Sequence, residues 1–396
     1  MVRLFIKTGL LIDGTGKEPI RNAGIVIEDG KISDIRSMEM VPDDCMVYNY
    51  SNQTVMPGMI NCHIHLDMPP VADPFPYYRD LNDVEKTLGC LERLDRYLCS
   101  GVTYVRSLGC ENYFDVKFRD AIRKGLTYGP GIVCSGPNLC MTGGHGWFMG
   151  LECDGVDECR KAARTLIKKG VDCVKFMATG GVMTPLVEPG SQQFSFEEMQ
   201  AIIEEAHKAG KKTATHAQGS QGILDAVKAG VDSVEHGIFL TDEIIDLMLK
   251  KGTFLVPTLV APFYISKNGL KAGIPEYAVR KSDAVGPSHI ESFKKAYRAG
   301  VKIALGTDGG TPLNPHEATW FELKLMTEYG VKPMDAIVYS TGNAAKLLNI
   351  DKLYGTIENG KAADIIVIDE NPLDNMETLS NVKAVFKDGK LYKKGG

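Results

Sequence analysis

Between residues 57 and 348 the chain alternates short apolar runs with amphipathic stretches, and this alternation limits the fold more than any other feature. Apolar runs of strand length occupy 59–65, 102–107, 131–135, 173–177, 213–216, 233–236, 254–258 and 303–307. Helical periodicity follows them, as at 83–98, 157–169, 196–209, 223–229, 242–250 and 290–299. Several of these helices end at Gly, the usual residue of a left-handed cap. Eight β-α units in about 290 residues predict an α/β fold, a closed (β/α)8 TIM barrel. The competing open, doubly wound sheet would want a Gly-rich phosphate loop after its first strand. G-x-G-x-x-G is absent there, and Gly143-Gly144-His145-Gly146 has a different spacing.

The flanks have another texture. Residues 4–8, 23–28 and 31–36 read as short strands with a hairpin signal at Asp29-Gly30, and 363–369 and 382–390 repeat the pattern. Neither set is long enough to stand alone. The two ends, 1–56 and 350–396, are therefore expected to join in one small β-sandwich beside a barrel of 57–349. A content of 44% hydrophobic and 24% charged residues suits a globular chain, and a formal charge of −5 without a Lys/Arg block excludes a nucleic-acid partner. No apolar run has the length of a signal peptide or a membrane span, so a cytoplasmic protein without membrane attachment is expected. Ten Cys without a C-x-x-C, several of them inside apparent strands, fit reduced thiols.

Candidate chemistry sits at the strand ends, which in a barrel converge on one mouth. Side chains alternate along a strand, so His63 and His65 share a face. Packed core histidines are the plain alternative for that pair alone. Further strand ends carry Lys175, His216, His236 and Asp308. Imidazole and carboxylate are ligands for zinc and similar ions, and manganese, cobalt or iron would suit the set almost equally. In 172–177 alternation turns Lys175 inward, where a lone ammonium is costly and a nearby metal repels it. Carboxylation of its amine gives an anionic carbamate with two oxygens; otherwise Lys175 snorkels to the mouth or pairs with an acid.

The segments Met56-Pro57-Gly58-Met59-Ile60-Asn61-Cys62-His63-Ile64-His65, 174–182 (VKFMATGGV), 215–219 (THAQG), 234–237 (VEHG) and 305–310 (LGTDGG) resemble the signatures of the amidohydrolase superfamily. The similarity is to the imidazolonepropionase-related branch, which contains Xaa-Pro and Xaa-Arg/Lys dipeptidases. It implies two divalent ions. His63, His65 and Asp308 would hold the more buried one, His216 and His236 the more exposed one, and N6-carboxylated Lys175 would bridge them. It also implies that His145 contacts substrate, although a loop His is otherwise usually solvated. Asp308 would carry the proton from a metal-bridging hydroxide to the leaving nitrogen, or serve only as a ligand or helix cap. Arg106 either binds a substrate carboxylate or forms a salt bridge in the mouth, and His316 lines the pocket or is structural. Tyr264 and Tyr277 shape the pocket or cover the barrel rim. His207 and His289 receive no role.

Two departures touch the pocket: Val105-Arg106-Ser107 where the branch commonly has Val-Arg-Asp, and His216-Ala217-Gln218 where it has His-Ala-His or His-Ala-Tyr. The expected activity is cleavage of an amide bond in a dipeptide or N-acyl amino acid, with a small-molecule substrate as partner. The alternative is a cyclic amide hydrolase, as in imidazolonepropionase, or a deaminase. Those typically use one ion and lack the bridging lysine, so Lys175 favours amide cleavage. A non-catalytic binding module with a vestigial centre is opposed by the complete ligand set. Enzymes of this architecture are usually oligomers, so a homo-oligomer is expected.

Overall fold

The computed structural model describes residues 3–394. Its strands are β1 (Arg3–Leu11), β2 (Ile20–Glu28), β3 (Lys31–Ser37), β4 (Met46–Pro57), β5 (Met59–Ile64), β6 (Val102–Ser107), β7 (Gly131–Cys134), β8 (Leu139–Cys140), β9 (Leu151–Glu152), β10 (Cys173–Met177), β11 (Lys212–Ala217), β12 (Ser233–His236), β13 (Phe254–Val256), β14 (Ile365–Ile368), β15 (Ala384–Lys387) and β16 (Lys390–Lys394). The chain divides into two compact units, one of Met1–Asn61, Leu94–Tyr104 and Glu317–Gly396, the other of Cys62–Arg93 and Val105–His316. The boundaries expected from sequence texture, at 57 and 349, both fall inside the first unit.

In the first unit both ends of the chain join in one seven-stranded sheet, ordered β16-β15-β14-β4-β1-β2-β3. The hairpin at Asp29-Gly30 is present: Glu28 pairs with Lys31, and φ is 48° at Asp29 and 82° at Gly30. Positive φ at both central residues matches the twist of the strands they join. β4 lies between β1 and β14 and links the two ends, a strand that its polar run Asn49-Tyr50-Ser51-Asn52-Gln53 conceals in the sequence. One face buries Ile6, Ile25, Val55, Ile365 and Phe386, with Tyr48 packed edge-on to Phe386 at 5.1 Å.

In the second unit the strands run parallel. The orders are β5-β6-β7 and β13-β12-β11-β10-β8-β9. The Asp172 N–H donates to Cys134 O at 2.8 Å, which ties the start of β10 to β7. On the other side, parallel bridges at Leu255–Ile303 and Ile64–Gly309, with Cys62 N–H donating to Leu305 O at 2.8 Å, set the 303–309 segment between β13 and β5. The expected eighth strand at 303–307 is thus a bridged segment rather than a regular strand; left-handed Asp308, at φ 57°, turns the backbone out of extended form. The expected helices are present, among them Phe196–Lys208 with a full capping box between Ser195 and Glu198. The helix expected at 290–299 runs from Glu276 to Ala299 across Pro287, a residue that as a sequence signal reads as a break.

Gly306 marks where the 303–309 segment lies against β5. A Cβ there would sit 2.4 Å from Val256 Cγ1 and 2.8 Å from His63 Cβ. Gly306→Ala is expected to lower stability by about 1–3 kcal/mol through overpacking, measured by urea unfolding. An unchanged midpoint would show that the segment is free to move away from β5.

Candidate metal centre

Four strand ends and two loops of the second unit bring the chemistry together. His63 and His65, 1% and 5% exposed, flank Ile64 at the end of β5. His63 Nδ1 lies 2.8 Å from Glu235 Oε2. Burial pushes the Glu235 carboxyl up, but the Arg106 guanidinium and the His63 contact outweigh it and hold it at about 2. An ionised carboxylate only accepts, so His63 donates through Nδ1 and its Nε2 keeps a lone pair. His65 Nδ1 lies 3.2 Å from Gly109 O, another pure acceptor, and the same logic leaves Nε2 of His65 free.

Both Nε2 atoms face Asp308 Oδ1, at 3.3 and 3.0 Å. Ligand atoms of His63, His65 and Asp308 all lie within 4.8 Å of one another. Three lone-pair donors that converge in this way want a cation between them, so the donor set fits a divalent metal ion. Burial raises the Asp308 carboxyl, yet with protons on the facing nitrogens His63 and His65 hold it well below the carboxylate range; a divalent ion would take the place of those protons and use the lone pairs.

The other strand ends give the same pattern. His216 Nε2 is 3.1 Å from Gly180 O and must donate, which frees Nδ1. Thr258 gives its hydroxyl proton to Pro257 O at 2.7 Å, so it accepts from His236 Nδ1 at 2.6 Å and His236 Nε2 is free. The His236 ring stands 5.2 Å from that of His63 and 4.6 Å from that of His216. Burial holds both His216 and His236 well below the usual imidazole value, with neighbouring histidines adding to the shift at His216, so both stay neutral. Lys175 on β10 is 1% exposed and has no acid within ion-pair distance among the described residues. Burial brings its amine down to about 8.

These groups line one pocket of ≈ 740 Å³, walled by Met68, Phe148, Met149, Met177, Met183 and Ile265. His145 is in it, its ring 4.2 Å from that of His216. The Thr184 hydroxyl accepts from Gly146 N–H at 3.1 Å and sits 2.8 Å from His145 Nδ1; donating there leaves Nε2 protonated. Burial, then the Lys175 ammonium, pushes His145 down to about 3.

Two residues expected to bind substrate do other work. Arg106 is 1% exposed and does not line the pocket; it donates to Cys62 O, Ser233 Oγ and Glu235 Oε1 at 2.6, 3.1 and 2.9 Å. Of its two readings, the internal salt bridge is the one the structure shows. His316, also 1% exposed, places Nε2 2.9 Å from Met68 O, behind a pocket residue rather than in the pocket. Tyr264 and Tyr277 are outside the lining as well, although Tyr277 donates to Met183 O at 3.1 Å.

Several contributors were missed. Glu235 stands in the Val-Glu-His-Gly segment, and its alternation away from His236 was the available signal. Gln218 lines the pocket with Oε1 unpartnered. His289 reaches in from the helix Glu276–Ala299 and donates to Pro257 O at 2.8 Å. Lys281, on the same helix, donates to Thr184 O and Val187 O and holds the loop that carries Thr184.

A parallel α/β scaffold that delivers imidazoles, a carboxylate and a lysine from its strand ends into one apolar pocket defines a protein with a candidate metal-binding hydrolytic centre. The chain belongs to the amidohydrolase family, whose profile matches residues 54–392. It is 34% identical to an ochratoxinase of Aspergillus niger over 438 aligned positions, covering 99% of this chain and 87% of that protein. A crystal structure of a Xaa-Pro dipeptidase with bound methionine in the active site matches with a TM-score of 0.92 at 34% identity, over 99% of this chain and 100% of the other. An imidazolonepropionase of Treponema denticola is 29% identical over 216 positions, 51% of this chain and 46% of that one.

Removing one partner of a buried ion pair strands the other charge. Arg106→Ala is therefore expected to cost about 3–5 kcal/mol in urea unfolding, and the pair Arg106→Met with Glu235→Gln to recover part of it. A loss under about 1 kcal/mol for Arg106→Ala would show that the pair does not brace the site.

Proposed function

We propose that this chain is a binuclear metal-dependent hydrolase that cleaves the amide bond of a dipeptide or an N-acyl amino acid. The observation that carries the reading is the convergence of lone pairs from His63, His65 and Asp308 in the same pocket as His216, His236 and a buried Lys175 without an acid partner. His63, His65 and Asp308 would hold one ion, His216 and His236 the other, with N6-carboxylated Lys175 between them, zinc being the first choice of metal. Divalent ions so held supply Lewis acidity toward the amide carbonyl and lower the pKa of water from about 15.7 to about 7.

The chain's own groups do the rest. The Asp308 carboxylate, whose Oδ1 faces His63 and His65, takes a proton from the attacking water through its other oxygen and returns it to the leaving nitrogen. His145 Nε2–H donates to the carbonyl oxygen as charge develops on it. Gln218 offers an unpartnered amide oxygen to a polar atom of the substrate. The methionine and phenylalanine wall excludes water and strengthens each of these contacts. The hydrogen bonds that link β5, β6, β7, β10, β11, β12, β13 and the 303–309 segment back to β5 support the closed (β/α)8 barrel of 57–349, with the two ends as a smaller domain. No helix among the described residues is long and apolar enough to cross a membrane, and all ten Cys are free, which supports a cytoplasmic setting; a homo-oligomer remains part of the proposal.

Lys175→Ala is expected to lose bound metal, read by elemental analysis, together with turnover; an Ala variant with full metal and full rate would sink the assignment. Asp308→Asn should fold as the parent does and lose about 10²–10⁴-fold in rate. Product identification by mass decides the reaction. Zinc- or manganese-loaded protein should release free amino acids from dipeptides or N-acyl amino acids, whereas ammonia or a ring-opened product alone would move it to the deaminase or cyclic amide class.

A further inference from the structure

The loop after β8 faces two ways. His145 lines the candidate metal pocket, while Trp147 and Phe148, two and three residues on, reach a second, open groove. Phe148 lines both cavities, so the groove adjoins the pocket across one ring. Phe148 packs against Phe75 at 4.4 Å, Tyr78 at 5.3 Å and Trp147 at 6.4 Å, all edge-on. Tyr78 is fixed by donating to Asp67 Oδ1 at 2.9 Å, and behind it Met68, Met149 and Met177 pack with Phe148 into one cluster. A path of rings and polarizable sulfurs thus runs from the metal site outward, the lining that suits a flat aromatic group.

Trp147 is 49% exposed, a large indole face left in solvent at the mouth of that path. The rim carries a few polar groups with partners of their own. Arg79 donates from Nε and Nη2 to Asp80 at 2.6 and 3.1 Å, and Asp73 Oδ1 accepts from Phe75 N–H at 3.1 Å. The groove therefore offers a flat ring the faces and edges of Phe75, Tyr78, Trp147 and Phe148.

We propose that this groove is an outer subsite that takes a flat aromatic group carried on one side of the scissile amide. The assignment rests on the amide-hydrolase reading of the inner pocket. It makes aryl-substituted amides better substrates than their alkyl counterparts, with the gain in KM, because the ring binds away from the bond that breaks.

The test compares N-(2-naphthoyl)-leucine with N-acetyl-leucine, and leucine 2-naphthylamide with leucine methylamide, on the metal-loaded enzyme. At least one naphthyl member should exceed its partner in kcat/KM by tenfold or more, and Trp147→Ala and Phe75→Ala should each collapse that ratio at least threefold, with metal content and unfolding midpoint as controls. A second readout does not need turnover. The chain has two Trp, so Trp320→Phe leaves Trp147 as the only indole, and N-(2-naphthoyl)-leucine should quench its emission saturably, more weakly in Phe75→Ala. Cleavage without a ring preference, and without quenching, overturns the subsite and leaves the reaction standing. Quenching that depends on Phe75, with no amide in the set cleaved, leaves the subsite and overturns the reaction.

Discussion

The second unit is organised around a charge pair that no water reaches. Arg106 on β6 and Glu235 on β12 are 1% and 0% exposed, and burying two ions costs several kcal/mol each unless every donor and acceptor is used. Here they nearly all are: the guanidinium also holds Cys62 O and Ser233 Oγ, and Ser233 donates to Glu235 Oε1 at 2.5 Å. The one remaining carboxylate oxygen sits on His63. Three strands are tied at one depth, and the same bond that neutralises the pair selects the tautomer of a candidate ligand.

That device recurs with different partners. Gly109 O, Gly180 O and Thr258 each engage the nitrogen of His65, His216 and His236 that points away from the ligand role. Backbone strain is concentrated at the same place. His236, Thr258 and Asp308 have φ of 72°, 54° and 57°, conformations that non-glycine residues avoid. Such strain persists only where surrounding contacts over-determine it, and here it aims side chains that an extended strand end would turn elsewhere.

What could be read from the chain followed from periodicity and from residue types with few roles. Alternation placed His63 and His65 on one face and Lys175 inward, and the Asp-Gly pair placed a hairpin; these are local properties and survive folding. Arg106 and His316 were legible as polar residues at strand and loop ends, but whether such a residue faces substrate or protein depends on partners far away in sequence, Glu235 in one case and Met68 in the other. β4 was hidden because pairing with β1, and with β14 further along, overrides the poor strand propensity of its exposed, Asn-rich middle. The 303–309 segment failed as a strand for the opposite reason: its glycine and its left-handed aspartate serve the site rather than the sheet.

Under the proposed function, charge balance accounts for a lysine at 175. Arg106 and an ammonium at Lys175 offset the carboxylates of Glu235 and Asp308, so the pocket is near neutral before any ion enters. Two divalent cations, as the proposed function requires, would leave it strongly positive in a low dielectric. Converting the ammonium to a carbamate moves the balance by two charges in the right direction and turns a repulsive group into a ligand. The conversion needs a neutral amine. Burial supplies it by bringing Lys175 to about 8, near enough to neutrality for the free base to be present. A guanidinium in the same place would remain charged at any accessible pH and would repel the cations that the proposed function sets among the four imidazoles.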